Sequence, residues 1–145
     1  MTGYGDHALQ RLVYRSISLI DPGDQYSLTR IVQQSLSNNR RAGITGCLAL
    51  TDGAFIQVLE GTAGKVGSVM QRIRADSRHQ AVAVIGDRPI SARLFKHSAM
   101  AHVTAARFNS EISRVIAASG GAAHVTSILL ELVETQGRFA YSQNV

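Results

Sequence analysis

Gln57 occupies an awkward place for a primary amide. In the stretch AFIQVLEG (residues 54–61), strand alternation puts Phe55, Gln57 and Leu59 on one face. A buried amide without partners costs about 1–3 kcal/mol, so Gln57 needs one. That partner is either structural, a loop carbonyl or water at a sheet edge, or a group with chemistry of its own. Tyr14 is such a group, lying between Leu12 and Ser16 on one face of RLVYRSIS (11–18). If the first and third strands run side by side and parallel in the middle of a sheet, the two polar tips meet. A phenol donates one hydrogen bond and accepts another, and an amide exchanges donor for acceptor by rotating with little change of shape. Asn38 and Asn39 add two more amides, either capping backbone groups or presenting a donor–acceptor edge to a ligand.

The elements that must carry these groups follow from periodicity. RLVYRSIS reads as a first strand, closed by the turn formers Asp21, Pro22 and Gly23. Leu28, Ile31, Val32 and Leu36 then mark one stripe of a helix, which Ser37, Asn38 and Asn39 terminate. GITGCLALT (43–51) and AFIQVLEG flank Asp52 and Gly53, the signal for a tight type I′ hairpin. Thr62 caps a second helix with Val66, Val69, Met70 and Ile73 on one face, ended by Asp76, Ser77 and Arg78. AVAVIGDRPI (81–90) is a fourth strand and LFKHSAMAHVT (94–104) a fifth. A short helix between Ser110 and Gly120 and a final one with Val125, Ile128, Leu129, Leu132 and Val133 complete the chain.

The order β-α-β-β-α-β plus a strand predicts an α+β fold, a ferredoxin-like sandwich with two helices on one face of a mixed sheet. The apolar runs Val82–Ile85 and Cys47–Leu50 suggest burial on both faces, so the two C-terminal helices are expected to cover the second face.

Composition removes several function classes. The chain has 145 residues, 45% of them hydrophobic, with 13 glycines and two prolines, which predicts one ordered domain. A formal charge of +5 comes from Lys and Arg scattered singly or in pairs such as Arg40–Arg41, so no nucleic-acid partner is expected. No apolar run is long enough for a membrane span, MTGYGDHALQRL lacks the regions of a signal peptide, and the single Cys47 has no internal partner. A cytoplasmic protein is expected. The five histidines lack metal-ligand spacing, and there is no Ser, His and acid set or dinucleotide fingerprint.

Taken together, LVYRS, SNNRRAGITGCL, FIQVLEG, DSRH and the strand around Met100 resemble the BLUF family, the blue-light sensors that use a flavin, over about residues 9–104. The resemblance implies a non-covalently bound flavin, FAD before FMN. It makes Tyr14 the electron and proton donor and Gln57 the bridge between its hydroxyl and the flavin ring. Asn39 and Asn38 would bond the pyrimidine edge, Met100 would neighbour Gln57, and Arg72, Asp76, Arg78 and His79 would lie toward the ribityl and phosphate end or the entrance. Many members carry tryptophan two residues before the methionine; here Ser98 stands there and the chain has no tryptophan. An output route past it would run through Met100, His97 or His102.

The expected organisation is a sensor over residues 1–104 with a C-terminal helical cap over 105–145 in the same globular unit. The expected activity is photoreception rather than enzyme catalysis, with output through a separate effector protein; the C-terminal helices, with their apolar stripe Val125–Val133, and an exposed sheet or helix face are expected to make a homo-oligomer and a docking surface for that effector. The rival reading is a ferredoxin-like module that binds a small metabolite without photoactivity, which the fold alone allows equally.

Overall fold

The computed structural model describes residues 8–21, 23–51, 53–96, 101–104 and 121–134. Alternating residues Leu9–Ser18 form β1, followed by helix α1 (Gln25–Ala42). A tight hairpin of β2 (Thr45–Thr51) and β3 (Ala54–Thr62) leads into α2 (Ala63–Ala75). Then come β4 (His79–Pro89), β5 (Ala101–Thr104) and α3 (Ala122–Leu132). The strands form one sheet in the order β4-β1-β3-β2-β5. All neighbours are antiparallel except β2 and β5, so the sheet is mixed. This is the expected ferredoxin-like α+β fold.

β1 and β3 are adjacent at the centre, as expected, but antiparallel rather than parallel. The reason is the hairpin: the helical crossover through α1 returns β2 parallel to β1, and β3, turned back from β2, inserts between them running the other way. Tyr14 and Gln57 still face each other, because their register pairs them directly.

The SNN cluster does not end α1. The helix continues to Ala42 and stops at Gly43, whose left-handed φ of 70° lets its N–H reach back to the carbonyls of Asn39 and Arg40. Asn39 is therefore inside the last turn, buried, while Asn38 is exposed. Gly46 is set by contact: a Cβ there would meet the Val58 carbonyl oxygen at 1.8 Å, so only glycine lets β2 lie this close to β3. At the hairpin Gly53 has φ 77°, and Asp52 lies outside the described residues.

The apolar run of β4 is not buried on both faces. β4 is an edge strand, with Val84 39% exposed, and Val82 and Ile85 pack only partly against opposite cores. Cys47, Leu48 and Ala49 of β2 are buried as expected. Residues 94–96 form a bend and turn rather than the start of a strand, and β5 begins at Ala101. The helix expected over 110–120 lies outside the described residues.

Two cores result. Leu12, Tyr14, Phe55 and Leu59 pack with Leu28, Val66, Val69 and Met70 of α1 and α2. On the other face Val13, Cys47, Ile56 and Val58 pack with Phe95 and with Val125, Leu129 and Val133. α3 is thus the cover of the second face, and Val125 and Leu129, at 0% exposure, are spent on the chain's own sheet.

Candidate functional site

The site lies between α1 and α2, over the middle of the sheet. One cleft is lined by apolar Ile31, Leu48, Phe55 and Ile73 together with Tyr14, Gln57, Asp76 and His79. A second shares Ser35, Gln57, Ile73, Asp76 and Arg78 with it and adds Asn38, Asn39, Val69 and Arg72. The two therefore form one continuous depression, apolar at its walls and amide-rich on its floor.

At its centre the Tyr14 hydroxyl donates to Gln57 Oε1. Both side chains are buried, each 3% exposed. Donation to the carbonyl turns the Gln57 amide nitrogen away from the phenol. Burial raises the Tyr14 pKa well above that of a free phenol, and the nearby Asp76 carboxylate raises it further. The phenol is therefore neutral, with its proton already on the line to Gln57.

His79 stands behind Tyr14. Its ring meets the Tyr14 and Phe55 rings edge-on at centroid distances of 6.3 and 6.2 Å. Nε2 lies 2.5 Å from the Ile73 carbonyl, which only accepts, so Nε2 carries the proton. In the neutral ring Nδ1 then accepts from Ser16 Oγ at 2.7 Å. The imidazole thus ties the end of α2 to β1 beside the reactive tyrosine.

Asp76 and Arg78 pair with each other at 2.5 Å just past α2, and the guanidinium's hydrogen bonds hold the Asp76 carboxyl below its ordinary range. Arg72 is exposed on α2 at the rim of the cleft. The structure thus brings together eight of the nine residues singled out from the sequence: Tyr14, Asn38, Asn39, Gln57, Arg72, Asp76, Arg78 and His79 line this depression. The ninth, Met100, lies outside the described residues, as do His97 and Ser98.

Sequence reasoning missed Ser16, Ser35 and the apolar walls. Ser35 was findable: Ile31, Ser35 and Asn39 recur every four residues on α1, one face of a helix. Ser16 gave no signal, since its role depends on a histidine 63 positions away.

The donor set fits a flavin. The ring system needs flat apolar walls, which Ile31, Leu48, Phe55 and Ile73 supply, and polar partners along one edge, which the amides of Asn38, Asn39 and Gln57 supply.

Comparison with known proteins agrees. Residues 9–101 match the BLUF family, described as sensors of blue-light using FAD. The chain is 34% identical over 95 residues to photoactivated adenylate cyclase subunit alpha of Euglena gracilis, covering 66% of this chain and 9% of that protein. It is 33% identical over 91 residues to the beta subunit, covering 63% and 10% respectively. The chain thus spans about a tenth of the length of these relatives. Among solved structures, BlrB, a BLUF protein in its dark state, superposes with a TM-score of 0.74 at 27% identity, covering 90% of this chain and 98% of that one. The photo-activated state of BlsA gives 0.71 at 25% identity, covering 86% and 94%. A bacterial light-regulated adenylyl cyclase gives 0.67 at 26%, covering 86% of this chain but 40% of that one. The chain belongs to the BLUF family of flavin-based blue-light sensors.

Proposed function

We propose that the chain converts blue light into a changed hydrogen-bond pattern at Tyr14 and Gln57 and passes that change to a separate effector protein. The observation that carries this reading is the buried Tyr14–Gln57 hydrogen bond on the floor of the cleft. A bound flavin supplies light absorption and an oxidising excited state. Tyr14, held neutral by burial, gives up an electron only if its proton leaves too, and the Gln57 carbonyl is the acceptor already in place. When electron and proton return to Tyr14, the Gln57 amide has reversed its donor and acceptor ends, by rotation or tautomerisation, and nothing else is consumed.

In this reading Asn39 and Asn38 hold the pyrimidine edge, and Met100 lies beside Gln57. Arg72 and Arg78 attract the phosphates, with Asp76 and His79 fixing that end of α2. The two arginines at the rim favour a phosphate-bearing flavin, and the family's description as sensors using FAD puts FAD before FMN. The chain is a sensor without catalysis of its own, residues 1–104 forming the photoactive part and residues 105–145 its cap. Relatives bearing the name photoactivated adenylate cyclase suggest the class of effector such a unit controls. Self-association through the C-terminal helices and an exposed sheet or helix face belongs to this reading, and sedimentation in dark and light tests it.

The direct test is to purify the protein, extract its flavin for mass measurement and record absorbance before and after blue light. FAD and a reversible red shift are expected. A colourless protein that takes up no added flavin would overturn the reading.

A further inference from the structure

Glu60 lies three residues beyond Gln57 on β3, on the opposite face of the sheet, and is 0% exposed. A buried carboxylate costs several kcal/mol unless it is fully bonded, and this one is. It accepts from the backbone N–H of Leu94 at 3.0 Å and of Phe95 at 2.8 Å, and from Arg11 Nε at 2.8 Å. Arg93 adds a second tie, donating to the Glu60 carbonyl at 3.1 Å and to Thr45 Oγ1 at 3.0 Å. Arg11 and Thr45 are the register partners of Glu60 on β1 and β2. One residue thus joins three strands to the segment that leads into β5.

The Gln57 row reaches the same strand by another path. Gln57 pairs with Leu48 on β2, and Leu48 pairs with His102 on β5. The described part of β5 is four residues long, and among the described residues it pairs with β2 on one side. A parallel edge strand of that length could slip along β2 when β3 shifts. The bonds from Glu60 fix its lead-in segment to β3 itself. An apolar anchor already exists in Phe95, buried at 2%, so closing the loop does not require a charge. Two backbone amides bonded to one carboxylate fix direction as well as distance.

Resting on the photoreceptor reading above, we infer that Glu60 is a positioning residue for signal output, the clamp that makes β5 follow β3 when Gln57 changes partner. It touches neither flavin nor Tyr14, so its loss should spare the photochemistry and weaken what reaches β5.

The test is hydrogen exchange by mass spectrometry on the full flavin-loaded chain, in the dark and under blue light. In the parent, light changes exchange across residues 101–104. Glu60→Gln keeps the red shift, while its light-minus-dark exchange difference at 101–104 falls on the order of fivefold or more, as expected for losing a charge-assisted bond. Val58→Ala removes packing from the same face of β3 without touching the clamp, and should keep the light-dependent difference. Should Glu60→Gln not fold, Arg11→Gln carries the same expectation at about twofold. A parent-like difference in the Glu60 variant, or in Arg11→Gln where that stands in for it, overturns the inference, as does an equal loss in Val58→Ala. A parent that shifts its absorbance without any exchange change at 101–104 overturns the inference and leaves the photoreceptor reading standing. A parent with no shift overturns both.

Discussion

On the face of the sheet turned toward α1 and α2, a tyrosine, a glutamine, an asparagine and a histidine share space with leucines and a phenylalanine, and the helices leave a cleft between them. On the face turned toward α3, valines, an isoleucine, a cysteine and a phenylalanine pack together, and the buried polar groups there, Thr126 and Glu60, are each hydrogen-bonded. The same strands build both, because alternate residues of β1 and β3 point opposite ways. The first face keeps polar groups that can exchange partners, and the second ties the strands to one another so that they respond together. A hydrogen-bond switch needs that division: where nothing is tied to it, a changed amide reports nothing.

The comparison breaks most completely at Tyr14. Tyr14→Phe should still bind flavin, because the ring and its packing remain, yet lose the light-induced shift altogether in absorption spectra. The mirror test removes packing from the other face. Leu129→Ala, at a site 0% exposed, should cost about 2–5 kcal/mol in denaturant unfolding while its folded fraction keeps a normal spectral shift. Asn39→Ala should weaken flavin retention about tenfold in equilibrium dialysis and leave the shift in whatever flavin stays bound, since a buried hydrogen-bonding amide contributes about 1–3 kcal/mol.

Alkaline pH sharpens the contrast further. The Tyr14 pKa is raised in the folded protein, mainly by burial, so the stability linked to its protonated form is complete below the unfolded value of about 10 and is lost as pH rises beyond it. Melting temperatures should therefore fall more steeply for the parent than for Tyr14→Phe above about pH 10. The smallest effect belongs to Gly43→Ala. The position has open space around it but φ 70°, so the change should cost about 1 kcal/mol by chemical denaturation and leave the spectrum unaltered.

Much of the switch face was legible before any coordinates. Alternation placed Phe55, Gln57 and Leu59 together, and the Asp52–Gly53 hairpin located β2 and β3, because both signals are local. The direction of β3 against β1 was not legible in the same way, since it follows from the chain path rather than from either strand. The SNN cluster misled because its residues favour helix ends only when nothing better follows, and Gly43 four residues on provides the stop. The run AVAVI reads as central although β4 is an edge, because β-branched residues suit a half-covered strand too. Glu60 was visible as a letter in FIQVLEG, but its partners Leu94 and Phe95 lie 34 and 35 residues away, beyond the reach of any local pattern.

The central claim is that one buried hydrogen bond carries the light response. The difference absorption spectrum of the flavin-loaded parent beside Gln57→Leu tests it most directly. The parent should show a red shift under blue light that decays in the dark, and Gln57→Leu, with flavin still bound, should show none. A Gln57→Leu protein that shifts and recovers like the parent would contradict the account.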